Sequence, residues 1–290
     1  MNKTNVEEIV MWLNKCNASK VEPWLWDFKN ELLKNHDTAQ NENAIIRIFE
    51  WYMDKDVKYK LGETEETSLA KSIYSLLWNI EVDVLEKKRL DMDVMNSFWI
   101  TYKQGIYLRY GEKYHKWKDG KINADAFSSL IESYSTYSRV NELFLCFAEL
   151  THTIGNFTVE PKGFNTGRKG NDYWDHALCL LRETEPLGHC FKHYVDKYFM
   201  TQYVYSDYTV ASLYGKEAWK IALPSDIEMQ DFLTLVCDKI EKRGKHMIRK
   251  ICEKIIENDM IFQRKPQEWF FYNDIMNDSN ATLNFVDKSI

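Results

Sequence analysis

Apolar residues recur at i, i+3, i+4 spacing along most of this chain, and that period predicts helix after helix. Val6, Ile9, Val10 and Leu13 share one face of a first helix. Asn5 is its expected N-cap, with Glu7 and Glu8 near the start, where the helix dipole favours acids. Pro23 suits the first turn of a second helix to about Lys34, carrying Trp24, Trp26, Phe28, Leu32 and Leu33. A short apolar helix follows over Ile45 to Tyr52, then a charged loop over 54–67. Thr67 caps a helix expected from Ser68 to about Lys88, with Ile73, Leu76, Leu77, Ile80 and Val84 inside. An apolar segment over 90–103 holds the polar Asn96 and Ser97, and Ala124 to Leu150 gives one or two more helices. Further helices are expected from Asp172 to about Glu183, over roughly 189–204, and from the capping box Ser225-Asp-Ile-Glu228 to about Asn258. Trp269 to Tyr272 is an apolar patch suited to docking on the core, and Asn277 to Ile290 is polar and expected to fray.

One stretch breaks this rhythm. Between Glu149 and His176 lie Gly155, Gly163, Gly167, Gly170 and Pro161 among polar side chains. Thr153 to Val159 is β-like in composition, which predicts a short β-hairpin or irregular loop around 153–166, followed by a glycine-rich loop. The expected fold is mainly α: a compact multi-helix domain of about ten helices over residues 1–275. Residues 1–90 are a candidate subdomain, and 276–290 the frayed tail. No internal repeat, low-complexity tract or linker stands out.

Composition narrows the class. The 290 residues are 44% hydrophobic and 28% charged, enough for a full core. The 10 Trp, 17 Tyr and 15 Phe exceed ordinary usage and should mostly be buried. A net charge of −6 argues against a generally basic, nucleic-acid-coating surface. Six cysteines lie scattered without a C-x-x-C pair, which reads as free thiols in a reducing compartment. The N-terminal residues lack a signal-like apolar run, and no run approaches the roughly 18 residues of a spanning helix. The cytoplasm is therefore the expected location, with no membrane partner.

The central stretch also carries the candidate chemistry. Asn156 and Asn165 offer amides. Arg168, between glycines, offers a planar fork for a phosphate or carboxylate. His152 and Asp172 are candidates for proton transfer, and Asn96 and Ser97 would line the same pocket from a neighbouring helix. The same residues also have a structural reading: Asn and Gly make turns, Asp172 caps a helix, and Arg168 can pair with Asp172 or Asp175. His189 and His193 share a helix face, but a third ligand would have to come from elsewhere, such as His176 or Cys190, so no metal or other cofactor is assigned. Lys239, Lys242, Arg243, Lys245, Arg249, Lys250 and Lys254 line the longest helix opposite Ile240, Met247, Ile248 and Ile251. With Asp238, Glu241 and Glu253 among them, they read as a solvated face more than as a phosphate-binding one. Common nucleotide-loop and hydrolase-elbow motifs are absent.

Leu150-Thr-His-Thr-Ile-Gly-Asn-Phe-Thr-Val-Glu-Pro-Lys-Gly-Phe-Asn-Thr-Gly-Arg168, then Asp172-Tyr-Trp-Asp175, resembles a motif of an uncharacterised family of bacterial proteins, mostly from Firmicutes. Met95-Asn-Ser-Phe98 resembles a second block of that family. The resemblance implies that His152, Gly155, Asn156, Asn165, Arg168, Asp172, Asn96 and Ser97 form one recurring constellation, with no activity to carry over. Gly155-Asn156-Phe157 followed by Asn165 is distantly similar to the tail of HNH-type endonuclease domains, although the strand that would carry that chemistry is missing. Arg182 and His189 resemble the Arg and His pair of HEPN-type ribonucleases, here with Pro186 and Gly188 between them. The leading expectation is a pocket over 152–176 for the phosphate of a nucleotide or nucleic acid. The alternatives are a non-catalytic protein-interaction module with a structural central loop, and an HNH-like or HEPN-like nuclease.

Overall fold

A computed structural model of the chain describes residues 3–34, 44, 48, 63–80, 90–98, 138–164, 174–183, 190–211, 226–257 and 266–288. It is mainly helical. The helices are α1 (Lys3–Ser19), α2 (Phe28–Lys34), α3 (Ser68–Trp78), α4 (Ser138–Thr151), α5 (Trp174–Glu183), α6 (Phe191–Lys197), α7 (Asp226–Glu257) and α8 (Tyr272–Asn277). Strands β1 (Leu90–Val94) and β2 (Phe157–Pro161) form a two-stranded sheet.

The 32-residue α7 is the axis of the molecule. Val236, Ile240, Met247, Ile248, Ile251, Cys252 and Ile255 are all buried along it. That apolar stripe meets α3, α4, α8 and the single helical turns Pro23–Leu25 and Ile154–Asn156. Burying such a stripe is the main stabilising contribution, at roughly 25 cal/mol per Å² of apolar surface. α1 lies on α3, where the Glu8 carboxylate accepts from the Ser68 and Ser72 hydroxyls at 2.7 and 2.6 Å.

Local signals placed several ends well. Thr67 caps α3, its hydroxyl accepting from the Ala70 N–H at 3.3 Å. α3 stops at Trp78, earlier than expected, because Asn79 adopts a left-handed conformation at φ 51°. α1 begins at Lys3, so Asn5 lies inside its first turns rather than at its cap. Gly244 leaves α7 unbroken. The helix expected over 189–204 is the shorter α6 followed by a separate turn, Thr201–Tyr203. Ser225 and Asp172, the expected caps of α7 and α5, lie outside the described residues, as does most of the helix expected over 45–52.

The β element falls within 153–166, but its partner is far upstream. β1 and β2 run antiparallel with Leu90 opposite Pro161 and Val94 opposite Phe157. Pairing continues past the strand, where the Met95 N–H donates to the Asn156 carbonyl at 2.8 Å. The two resemblance blocks are thus neighbours in space. The residues after Asn277, expected to fray, pack back on the body: the Val286 N–H donates to the Val204 carbonyl at 2.9 Å, and Lys288 pairs with Asp207 at 2.6 Å.

Candidate functional site

The first half of the central stretch is a buried joint. The helical turn Ile154–Asn156 sits directly on α7. A Cβ added at Gly155 would lie 2.1 Å from the Ile240 carbonyl oxygen and 2.8 Å from the Gly244 nitrogen. Only a residue without a side chain lets the two backbones approach this closely.

Asn156, fully buried, ties the turn to the Met95-Asn-Ser-Phe98 block. Its Nδ2 donates to the Asn96 carbonyl at 2.8 Å and to the Thr151 carbonyl at 2.9 Å. Its Oδ1 accepts from the Asn96 N–H at 3.0 Å and from Asn96 Nδ2 at 3.2 Å. Two donors and two acceptor positions are all an amide has, so this side chain has no capacity left for a ligand. Asn96 Nδ2 also reaches the Tyr203 hydroxyl at 3.5 Å. Asn96 and Asn156 therefore converge on each other rather than on an open cleft. His152 is buried, and its carbonyl accepts from the Phe28 N–H at 3.0 Å. Ser97, in the same block, is half-buried. Asn165, Arg168 and Asp172 lie outside the described residues.

Beneath the joint lies a residue that the reading of α7 misplaced. Arg243, expected on a solvated basic face, is fully buried. Its Nη1 donates to the carbonyls of Gly155 and Phe157 at 2.8 and 2.7 Å, and its Nη2 to the Tyr198 carbonyl at 2.9 Å. The guanidinium stands 5.9 Å from the Trp78 ring. Burial lowers its pKa to about 10, so it stays charged at neutral pH. The signal was present in the sequence: Arg243 lies three residues after Ile240 and four before Met247, inside the apolar stripe. The exposed part of the basic face is largely ion-paired with its own helix, Lys242 to Asp238 at 2.9 Å and Lys245 to Glu241 at 2.8 Å.

Two further chemical features escaped the sequence reading. Glu65, buried beside Asp93, has its pKa pushed up to about 7, first by burial and then by Asp93. Lys239, only 7% exposed, has its pKa lowered to about 8 by burial. Of the six cysteines, Cys16, Cys237 and Cys252 are buried, Cys146 is half-buried, and Cys179 and Cys190 are exposed; all are free thiols. Among the described residues no cluster of three metal-ligating side chains occurs, and no helix is long and apolar enough to cross a membrane.

Open concave surface lies elsewhere. A hollow of about 310 Å³ along α1 and α2 has Trp12, Trp26, Phe28 and Leu32 in its walls. It adjoins a second of about 420 Å³ that reaches α4 and α7 through Cys146, Glu149 and Glu241, and the two share Trp26 and Glu31. A separate cleft of about 520 Å³ opens between α7, the 202–205 segment and the C-terminal residues 279–287. No protein-family model, curated protein or solved structure matches this chain.

Proposed function

We propose that the protein is a non-catalytic interaction module that receives a basic, apolar-anchored segment of a partner protein in the trough along α1 and α2. The carrying observation is the trough's combination of tryptophan walls with an acidic surround: among the described residues, Glu8, Asp27, Glu31, Glu149 and Glu241 stand against three lysines, Lys15 and Lys34 in the walls and Lys245 paired with Glu241. Lys15 and Lys34 both bond to Glu31, and the five carboxylates outnumber the three lysines, so the field of these described residues is negative. Met11, 62% exposed, and Leu25, 40% exposed, supply apolar rim that water does not favour. Apolar anchors would give such a complex its affinity, and the carboxylates its choice of partner and its rate of encounter. Support also comes from the centre of the chain, where Asn156 and Arg243 make internal bonds. A bacterial, cytoplasmic setting belongs to the same proposal.

Fluorescence anisotropy with labelled peptides tests it. A basic amphipathic Leu/Lys/Arg peptide should bind with a Kd of roughly 1–100 µM and weaken as salt rises. An acidic Leu/Glu counterpart should not bind, and Glu149→Lys with Glu241→Lys should abolish binding of the basic one. Equal binding of both peptides, or no effect of charge reversal, would overturn the proposal. The nuclease readings rest on other residues, Arg182 with His189 or Asn156 with Asn165, whereas the anion-pocket reading rests on Arg168. It would show instead as nucleic-acid binding or cleavage lost in Arg168→Ala.

A further inference from the structure

The cleft between α7 and the C-terminal segment contains a cation that is nearly sealed from water. Lys239 is 7% exposed, and its Nζ donates to one acceptor among the described residues, the Gln202 carbonyl, at 2.6 Å. The Tyr203 ring lies 5.2 Å from it. Gln202 returns the bond, its Nε2 donating to the Lys239 carbonyl at 2.9 Å, so the ammonium is held in place rather than free to swing out. An ammonium carries three donors, and a buried cation with one full hydrogen bond is incompletely solvated. The neighbouring cation on α7, Lys242, is paired with Asp238. The other titratable groups facing the cleft are Tyr205 on the 202–205 segment and Asp287 on the C-terminal segment. The rest of the wall includes Leu235, Leu283, Phe285 and Val286.

We infer that this cleft binds a small organic carboxylate with an apolar body, its carboxylate seated on Lys239 and its hydrocarbon against Leu235, Leu283 and Phe285. The volume of about 520 Å³ falls within the range of small-ligand sites. The carboxylate supplies an acceptor beyond the one that the described residues give the ammonium, and the hydrocarbon covers apolar wall. Burial holds the Lys239 pKa near 8, so the cation is present at neutral pH and is lost just above it. This site is separate from the α1 and α2 trough and stands or falls independently of it.

The test is calorimetric titration and thermal shift with octanoate and 4-phenylbutyrate, with octanol and octylamine as uncharged and cationic controls. Both carboxylates should bind and raise Tm, and neither control should. Lys239→Met should weaken octanoate at least tenfold, whereas Lys239→Arg should retain part of the binding. Leu235→Trp, which narrows the cleft while leaving Lys239 in the sequence, should also weaken it at least tenfold, and covers the case in which Lys239→Met fails to fold. Octanoate affinity should hold steady from pH 6 to 7.5 and fall above pH 8. No binding of either carboxylate at millimolar concentration, or equal binding by octanol, would overturn the inference. So would octanoate affinity unchanged in a folded Lys239→Met or in Leu235→Trp.

Discussion

Adding one methyl group at Gly155 should come close to unfolding the protein. The added carbon would lie 2.1 Å from the Ile240 carbonyl oxygen, and ordinary contact begins at 3.4 Å, so the turn must withdraw from α7 by about 1.3 Å. The obstacle is helix backbone, which cannot rotate aside as a side chain would. Withdrawal stretches the 2.8 Å bond from Arg243 Nη1 to the Gly155 carbonyl towards 4 Å and disturbs the adjacent bond to Phe157. Hydrogen bonds to a charged group contribute roughly 1.5–3 kcal/mol each, and a buried charge left short of partners adds more. We therefore expect Gly155→Ala to lose about 4–6 kcal/mol, a large share of the 5–15 kcal/mol typical of a folded domain. Urea unfolding followed by circular dichroism measures it. Gly244→Ala is the control. Its added carbon meets the Trp24 Cβ at 3.1 Å, a contact that a few tenths of an ångström relieves, and alanine favours the helix, so the net change should stay within about 1 kcal/mol. A Gly155→Ala protein within 1 kcal/mol of wild type would refute the idea that this turn is a fixed joint.

Other perturbations have equally definite outcomes. Glu65 has a folded pKa above its unfolded value, so the folded state holds the extra proton and stability falls as pH rises from about 4.5 to 7. Glu65→Gln should be near neutral at pH 4.5 and stabilising by roughly 3 kcal/mol at pH 8, read from denaturant midpoints at the two pH values. Lys239 has a lowered pKa, so the unfolded state binds more protons between about pH 8 and 10.5 and this residue's contribution to stability rises with pH there. Lys239→Met should flatten that rise. Thiol titration with an aromatic disulfide should label Cys179 and Cys190 quickly. Cys16 and Cys252, whose pKa values burial pushes up to about 12, should react only on unfolding.

Most of the helical frame was legible from spacing. The capping box at 225–228 and the apolar set from Ile240 to Ile251 placed α7, and Thr67 marked the start of α3, because these signals are local. The strand over 157–161 was legible from composition, but its partner at 90–94 was not, since pairing between distant segments leaves no periodic trace. Asn156 shows the limit most clearly. A sequence gives the same letter whether an amide faces a ligand or two carbonyls, and only the approach of Asn96 and Thr151 decides it. Arg243 was misjudged for the opposite reason: its position in the apolar stripe indicated burial, and its charge outweighed that in the reading. Lys239 and Glu65 owe their perturbed pKa values to burial by segments remote in sequence.

The most direct test of the central claim is to measure stability and peptide binding together in Asn156→Ala, below its melting temperature. Removing the amide strands the Asn96 N–H and the Asn96 and Thr151 carbonyls in the interior. We expect stability to fall by about 3 kcal/mol while the folded fraction binds the basic peptide as wild type does. Stability unchanged within 1 kcal/mol, with peptide or nucleic-acid binding lost, would show that Asn156 serves a ligand and that the central stretch is a site after all.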